Sequence, residues 1–409
     1  MKARNILITL LIILLISFAF FNSSSVNTID DLAYVVAIGF DVGENYALKV
    51  SFQINMPSVS KSSSSSKSES SSIITTIDCN NFDAGVTLLD SYLNKNVNMS
   101  HCKLLIFSEE LAYLGIDNYI YSLKNNIEVR PTCNILISKC SARYFMDNSA
   151  PILSQISSKY YGLEVSSEKN TGYTEVITLK DFFNSISDTF KNPSAILGSI
   201  NGLNSDNVGS NNSDLDDANY TAKESDDNTQ KNIENLGLAV FDKGKLVGEL
   251  SGLEVMSHLM ICDKFKSSMV NIPSPFNDQE YIALYIQNCK TKKTVEIVNG
   301  SPFISCNLNI NVRVLSSTTD ANYMNPDNIK LIEDYANSYF KAHIRDYLYK
   351  SSVELKSDIC GFGKLAVGKF ATWDDWVNYD WLHNYGNSFF TVNVDTHLRS
   401  SYLVMGTEN

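Results

Sequence analysis

Ile304-Ser305-Cys306-Asn307-Leu308-Asn309-Ile310-Asn311-Val312-Arg313-Val314 alternates apolar and polar side chains over eleven residues. Successive residues of a strand point to opposite faces, so this stretch predicts a strand with one face buried and one in water. Downstream, Asn325-Pro326 opens a helix that the pattern extends over 327–357, with Ile332, Tyr335, Tyr339, Ile344, Tyr347 and Leu348 on one stripe. Roughly thirty helical residues would run ~45 Å. A helix of that length must cover its stripe with a sheet, which the neighbouring strands supply. The C-terminal half is therefore expected to be a long helix packed on an antiparallel-rich sheet.

Upstream of it, Leu238–Phe241 and 245–247 flank Asp242-Lys243-Gly244 as a hairpin in which glycine is expected to take the positive φ. In the first half, Leu32 to Phe40 is a continuous apolar strand. Leu48, Val50, Phe52, Ile54 and Met56 then alternate as a half-buried strand. Phe82, Val86, Leu89 and Leu93 follow helical spacing, and Leu104–Phe107 reads as a further strand. The fold class is α+β or mixed α/β, built from several sheet-plus-helix domains and preceded by one N-terminal membrane-anchoring helix.

Composition divides the 409 residues further. Lys2 and Arg4 precede sixteen uncharged, mostly apolar residues from Ile6 to Phe21, the layout of an export signal or anchor with its positive end in the cytoplasm. Eleven serines in residues 58–72 have nothing to bury and read as a hairpin tip. Eight acids and two lysines between Asn204 and Asn235 carry net −6, half of the protein's −12, in a segment that reads as a solvated linker. The expected organisation is a signal or anchor at 1–25, an N-terminal α/β region at 26–203, an acidic linker at 204–235 and a C-terminal α/β domain at 236–403. Net charge −12 excludes binding to nucleic-acid backbones, which need a basic face. A mean hydropathy of −0.10 with one long apolar run excludes a polytopic membrane protein.

The chemical motifs point away from catalysis. Gly363-Lys364-Leu365-Ala366-Val367-Gly368-Lys369 has phosphate-loop spacing, but Phe370 stands where a hydroxyl must hold Mg²⁺, and the segment follows a helix instead of a strand. It reads as a glycine-bearing turn with a positive φ. His101, His258, His343, His383 and His397 are scattered without i, i+4 pairing, so no zinc site is expected. His101 and Cys102 would point to opposite faces of a strand. Eight cysteines include no CxxC pair. Trp373, Trp376 and Trp381 fall within nine residues, either as cover over a sheet or as a contact with a partner or membrane interface.

Several segments together carry a family resemblance. Ile29-Asp30-Asp31-Leu32-Ala33 leading to Gly39-Phe40-Asp41 resembles the start of the Ger(x)C spore germination proteins, the C subunits of nutrient germinant receptors. His101-x-Lys103 with Leu104–Phe107, then Glu109-Glu110-Leu111-Ala112, Gly115-Ile116 and Glu128-Val129-Arg130, is similar to the family's central pattern. Gly237–Phe241 with Leu246-Val247-Gly248 resembles the opening of its C-terminal domain, and Asp358-Ile359-Cys360-Gly361-Phe362-Gly363 its closing signature. The resemblance spans roughly residues 28 to 400. It implies an extracytoplasmic protein on the outer face of the inner spore membrane, partnered with integral membrane A and B subunits, with no enzymatic activity and no cofactor. One departure concerns the lipobox cysteine expected near Ser23: no cysteine precedes Cys79, so lipidation is not expected and the apolar helix itself would be the anchor. An extracytoplasmic small-molecule-binding protein and an anchored hydrolase are the alternatives to a receptor subunit.

Overall fold

The structure is a computed structural model that describes residues 4–5, 32–55, 72–93, 95–149, 171–202, 231–277, 280–317 and 325–401. The N-terminal apolar run with Ser23, the body of the serine tract and residues 203–230 of the acidic segment lie outside these. No helix among the described residues is long and apolar enough to cross a membrane.

The first sheet opens with β1 (Leu32–Val42), β2 (Leu48–Asn55) and β3 (Ser72–Cys79), joined antiparallel, so the serine tract does connect two strands of a hairpin. β4 (Asn96–Asn98) and β5 (Leu104–Ser108) then pair with β1 in parallel, followed by parallel β6 (Asn134–Ser138) and β7 (Ser194–Gly202). β8 (Lys231–Asp242) and β9 (Lys245–Leu250) close the sheet antiparallel, in the order β3-β2-β1-β5-β6-β7-β8-β9. One face carries α1 (Phe82–Tyr92), α2 (Glu109–Leu114), α3 (Asp117–Asn125) and α5 (Leu179–Ile186); the other carries α4 (Ala142–Asn148). Leu105 and Phe107 thus meet the first group while Leu104 and Ile106 meet Phe145 and Met146.

Cover on both faces changes the reading of β2. Its alternation implied one wet face, yet Ser51 and Gln53 are buried, with Ser51 bonded to Thr76 at 2.8 Å and Gln53 to Ser72 at 3.1 Å. These polar positions are satisfied inside the sheet and do not meet solvent.

The second sheet runs β10 (Ser268–Pro273), β11 (Tyr281–Val298), β12 (Ser301–Ser317) and β13 (Phe389–Ser401), antiparallel except for the last, parallel pair. Along β12, Ile304, Cys306, Leu308, Ile310, Val312 and Val314 are all buried, as the alternation requires. Asn299 and Gly300 both take positive φ, 51° and 82°, which is the type I′ turn that matches the twist of the long β11–β12 hairpin. α6 (Gly252–Ile261) and α7 (Pro326–Tyr349) pack on this sheet. α7 has 24 residues and passes into one π-turn at Lys350–Glu354, after which Lys356 at φ 49° ends it, short of the expected 357. Its buried stripe is Ile332, Ala336, Phe340, Ile344, Tyr347 and Leu348; Tyr335 faces out.

β8 joins the two halves. Its Ala239 and Phe241 enter the core of the first sheet while Leu238 and Val240, one residue apart, enter the core of the second. Residues 231–235, assigned by composition to the linker, are therefore strand, and the C-terminal half begins inside the sheet of the N-terminal half. In the β8–β9 turn Lys243 takes the positive φ of 53°. Gly244 serves close approach instead: a Cβ there would lie 2.4 Å from Cβ of Asp117.

Candidate functional site

α6 begins with a capping box in which Ser251 and Glu254 satisfy each other's backbone amides, and all its other residues from Gly252 to Ile261 are buried. The helix is enclosed because it lies between the β8–β9 edge and the second sheet. His258 is consequently fully buried, and each ring nitrogen needs a partner. Nε2 lies 2.9 Å from the Glu175 carboxylate and Nδ1 lies 2.8 Å from the Tyr347 hydroxyl. Glu175 also pairs with Lys264, just past the end of α6.

Two thiols complete the cluster. Cys262 is the C-cap of α6, four residues after His258, and its Sγ stands 3.7 Å from Nδ1 and 3.8 Å from Nε2. Cys360 arrives on the loop after the π-turn, 3.5 Å from Nδ1 and 3.0 Å from the Tyr347 oxygen. The ligand atoms of His258, Cys262 and Cys360 all lie within 4.8 Å of one another. Both cysteines are half-buried as residues, and neither is in a disulfide.

Burial and neighbouring charge pull against each other throughout the cluster. Burial works against charge on Glu175, but His258 and Lys264 outweigh it and hold the carboxyl well below the usual carboxylate range. Burial likewise disfavours the imidazolium, yet Cys262 and Glu175 lift His258 to about 9. The hydrogen bond with Cys360 and the charge of His258 pull the Cys262 thiol well below its ordinary range, while burial and Cys262 push Cys360 well above its own. Sequence reading found no histidine pair and so passed over the site; the visible signal was His258-x-x-x-Cys262 on one helix, whereas Cys360 is about a hundred residues away.

The loop that delivers Cys360 is held from both sides. The Asp358 carboxylate accepts the amides of Gly361 (2.8 Å) and Gly363 (3.0 Å) and the Trp381 indole N–H (2.9 Å). Burial raises its carboxyl to about 6 despite these bonds. The phosphate-loop lookalike after it forms α8 (Gly363–Ala366) and a 3₁₀ turn over Val367–Lys369, preceded by that loop and not by a strand, so it is short helix and neither Gly363 nor Gly368 takes the expected positive φ.

The tryptophans separate. α9 (Trp373–Tyr379) and α10 (Trp381–Asn384) bury Trp376 and Trp381, stacked 6.0 Å apart, and the Trp376 indole donates to Thr189 at 3.1 Å. These two are core, as the reading of the cluster as cover over a sheet has it, so the alternative of a contact surface built from all three tryptophans does not hold. Trp373 is 57% exposed and Val377, one turn on, 52%. The exposed His101 ring lies tilted against Tyr34, 4.7 Å between centroids, while Cys102 is buried and its carbonyl accepts the Cys133 thiol at 3.1 Å; both precede β5.

Two open clefts lie in the N-terminal half, away from the His258 cluster. One of about 620 Å³ is lined by Asp83, Asp90, Asn126 and Glu128 among others, and one of about 460 Å³ includes Asp41, Lys49, Glu109, Lys139 and Arg143.

Comparison with known proteins places this architecture. Residues 25–200 match the family model described as spore germination protein N-terminal domain, and residues 236–402 match the one described as spore germination B3/GerAC like, C-terminal. No curated protein matches the sequence. The fold is similar to that in the crystal structure of the GerBC protein, with a TM-score of 0.53 and 13% identity over 89% of this chain and 97% of that one. The two family segments, in order and joined through β8, show that the chain belongs to the Ger(x)C family of spore germination proteins.

Proposed function

We propose that this chain is the membrane-anchored C subunit of a nutrient germinant receptor, working without a reaction of its own through contact with integral membrane A and B subunits. The ordered match of both family segments, 25–200 and 236–402, carries this reading. The anchor is residues 1–25, uncleaved and without lipid because Ser23 stands near the expected cysteine, and the remainder faces outward from the inner spore membrane. Trp373 and Val377 on α9 are the contact candidates, since exposed aromatic side chains concentrate at interface centres. Spores lacking the chain should lose a nutrient response that the full-length chain restores and that a version without residues 1–25 does not. Full restoration by the truncated version would refute the anchor.

A second reading is binding of a small solute. The cleft of about 460 Å³ favours it, because Lys49, Lys139 and Arg143 stand there beside Asp41 and Glu109, a mixed-charge lining suited to a zwitterion. Saturable uptake in equilibrium dialysis, lost on Lys139→Ala, would support this second reading.

A further inference from the structure

We propose that His258, Cys262 and Cys360 bind one zinc ion that ties the 355–363 loop to the end of α6. A tetrahedral zinc ion, about 2.3 Å from sulfur and about 2.0–2.1 Å from nitrogen, separates its sulfur and nitrogen ligands by about 3.6 Å and two sulfurs by about 3.8 Å. The cluster already has nitrogen-to-sulfur separations of 3.5 Å and 3.7 Å, with all three ligand atoms inside 4.8 Å. Imidazole with two thiolates is a donor set that favours zinc over the oxygen-seeking cations.

The surroundings meet the further demands of such a site. Metal-binding imidazoles characteristically donate their remote N–H to a carboxylate, which fixes the tautomer and strengthens the ligand. Nε2 of His258 does this to Glu175 at 2.9 Å, leaving Nδ1 to face the two sulfurs. Zinc takes thiolates and an unprotonated Nδ1, so loading the site releases protons. The Tyr347 hydroxyl, 3.0 Å from Cys360, then donates to that thiolate in place of its bond to Nδ1. One rearrangement is needed. Cys262 Sγ is nearly equidistant from both ring nitrogens, and its side chain must turn toward the Nδ1 lone pair.

The test uses the full-length chain in detergent with a reductant, loaded with Zn²⁺ and desalted. One zinc per chain should be retained, the melting temperature should rise, and zinc should protect Cys262 and Cys360 from alkylation mapped by mass spectrometry. Co²⁺ in place of zinc should give thiolate charge-transfer absorption. Cys262→Ser and Cys360→Ser should each cut retention at least tenfold. Zinc retention unchanged in the two variants would overturn the proposal. So would alkylation of the wild-type thiols unaffected by zinc, a readout that requires no variant to fold. Recovery of a disulfide-linked Cys262–Cys360 peptide from the chain in reductant would show that the pair closes on itself instead.

Discussion

Asn192 and Asp358 are paired in both directions. The Asn192 amide donates to the Asp358 carbonyl at 2.9 Å, and the Asn192 side-chain oxygen accepts the Asp358 amide at 3.0 Å. Asn192 also donates through Nδ2 to Asp242 at the end of β8. One buried side chain thereby fastens the segment before β7, the β8–β9 hairpin and the closing loop. Asn192→Ala should cost about 1–3 kcal/mol, because it leaves the Asp358 amide unpaired in a buried site. Urea unfolding measures this, and a loss under a few tenths would show that the clasp is not used.

Cutting the acidic segment should not release two bodies. Its composition buries little, so proteases are expected to enter between residues 203 and 230. β8 is paired with β7 from 194 to 202 and feeds both cores, so the nicked halves should co-elute in size-exclusion chromatography without denaturant. Separate elution would show that the shared sheet does not hold them.

The tryptophans should respond in opposite ways. Trp376→Ala and Trp381→Ala should each cost about 3–5 kcal/mol as buried aromatics, the second also stripping a donor from buried Asp358. Trp373→Ala should cost less than about 1 kcal/mol. Comparable losses for all three would place Trp373 in the core as well.

Asp41 should make stability depend on pH. Burial raises its carboxyl above the ordinary 3.8 even though it accepts the amides of Ala142 at 2.7 Å and Arg143 at 3.1 Å at the start of α4. A carboxyl whose pKa is higher folded than unfolded holds its proton more tightly in the native state. Its contribution is therefore full below the unfolded value and is lost as pH rises through the folded one. Relative to Asp41→Asn, the wild type should lose stability as pH rises from the ordinary 3.8 through the raised folded value. A wild type that gains on the variant over that range would reverse the sign.

How much of this was legible in the sequence depended on whether the deciding contact was local. β12 announced itself because one face of the second sheet is open to water, so alternation and burial coincide. β2 carried the same alternation to a different end: α4 covers the face where Ser51 and Gln53 lie, and only tertiary structure shows that. The Asn299-Gly300 pair was a readable I′ turn that apolar periodicity alone does not register. Composition drew the linker through residues 231–235, since Asn232, Glu234 and Asn235 at the start of β8 look like those of a solvated segment. Within the site, His258 and Cys262 were one helical turn apart in plain view, but Cys360 joins them only through the packing of the closing loop. The three tryptophans could not be sorted by type, because the face each presents is set by short helices of seven and four residues.

The most direct test of the account is the company this chain keeps in the spore membrane. Solubilised in mild detergent and captured through a C-terminal tag, it should bring down two polytopic membrane proteins in fixed ratio. Recovery should fall at least several-fold for a Trp373→Ala, Val377→Ala double variant whose melting temperature is unchanged. Recovery of the chain alone from intact, nutrient-responsive spore membranes would contradict its role as a receptor subunit.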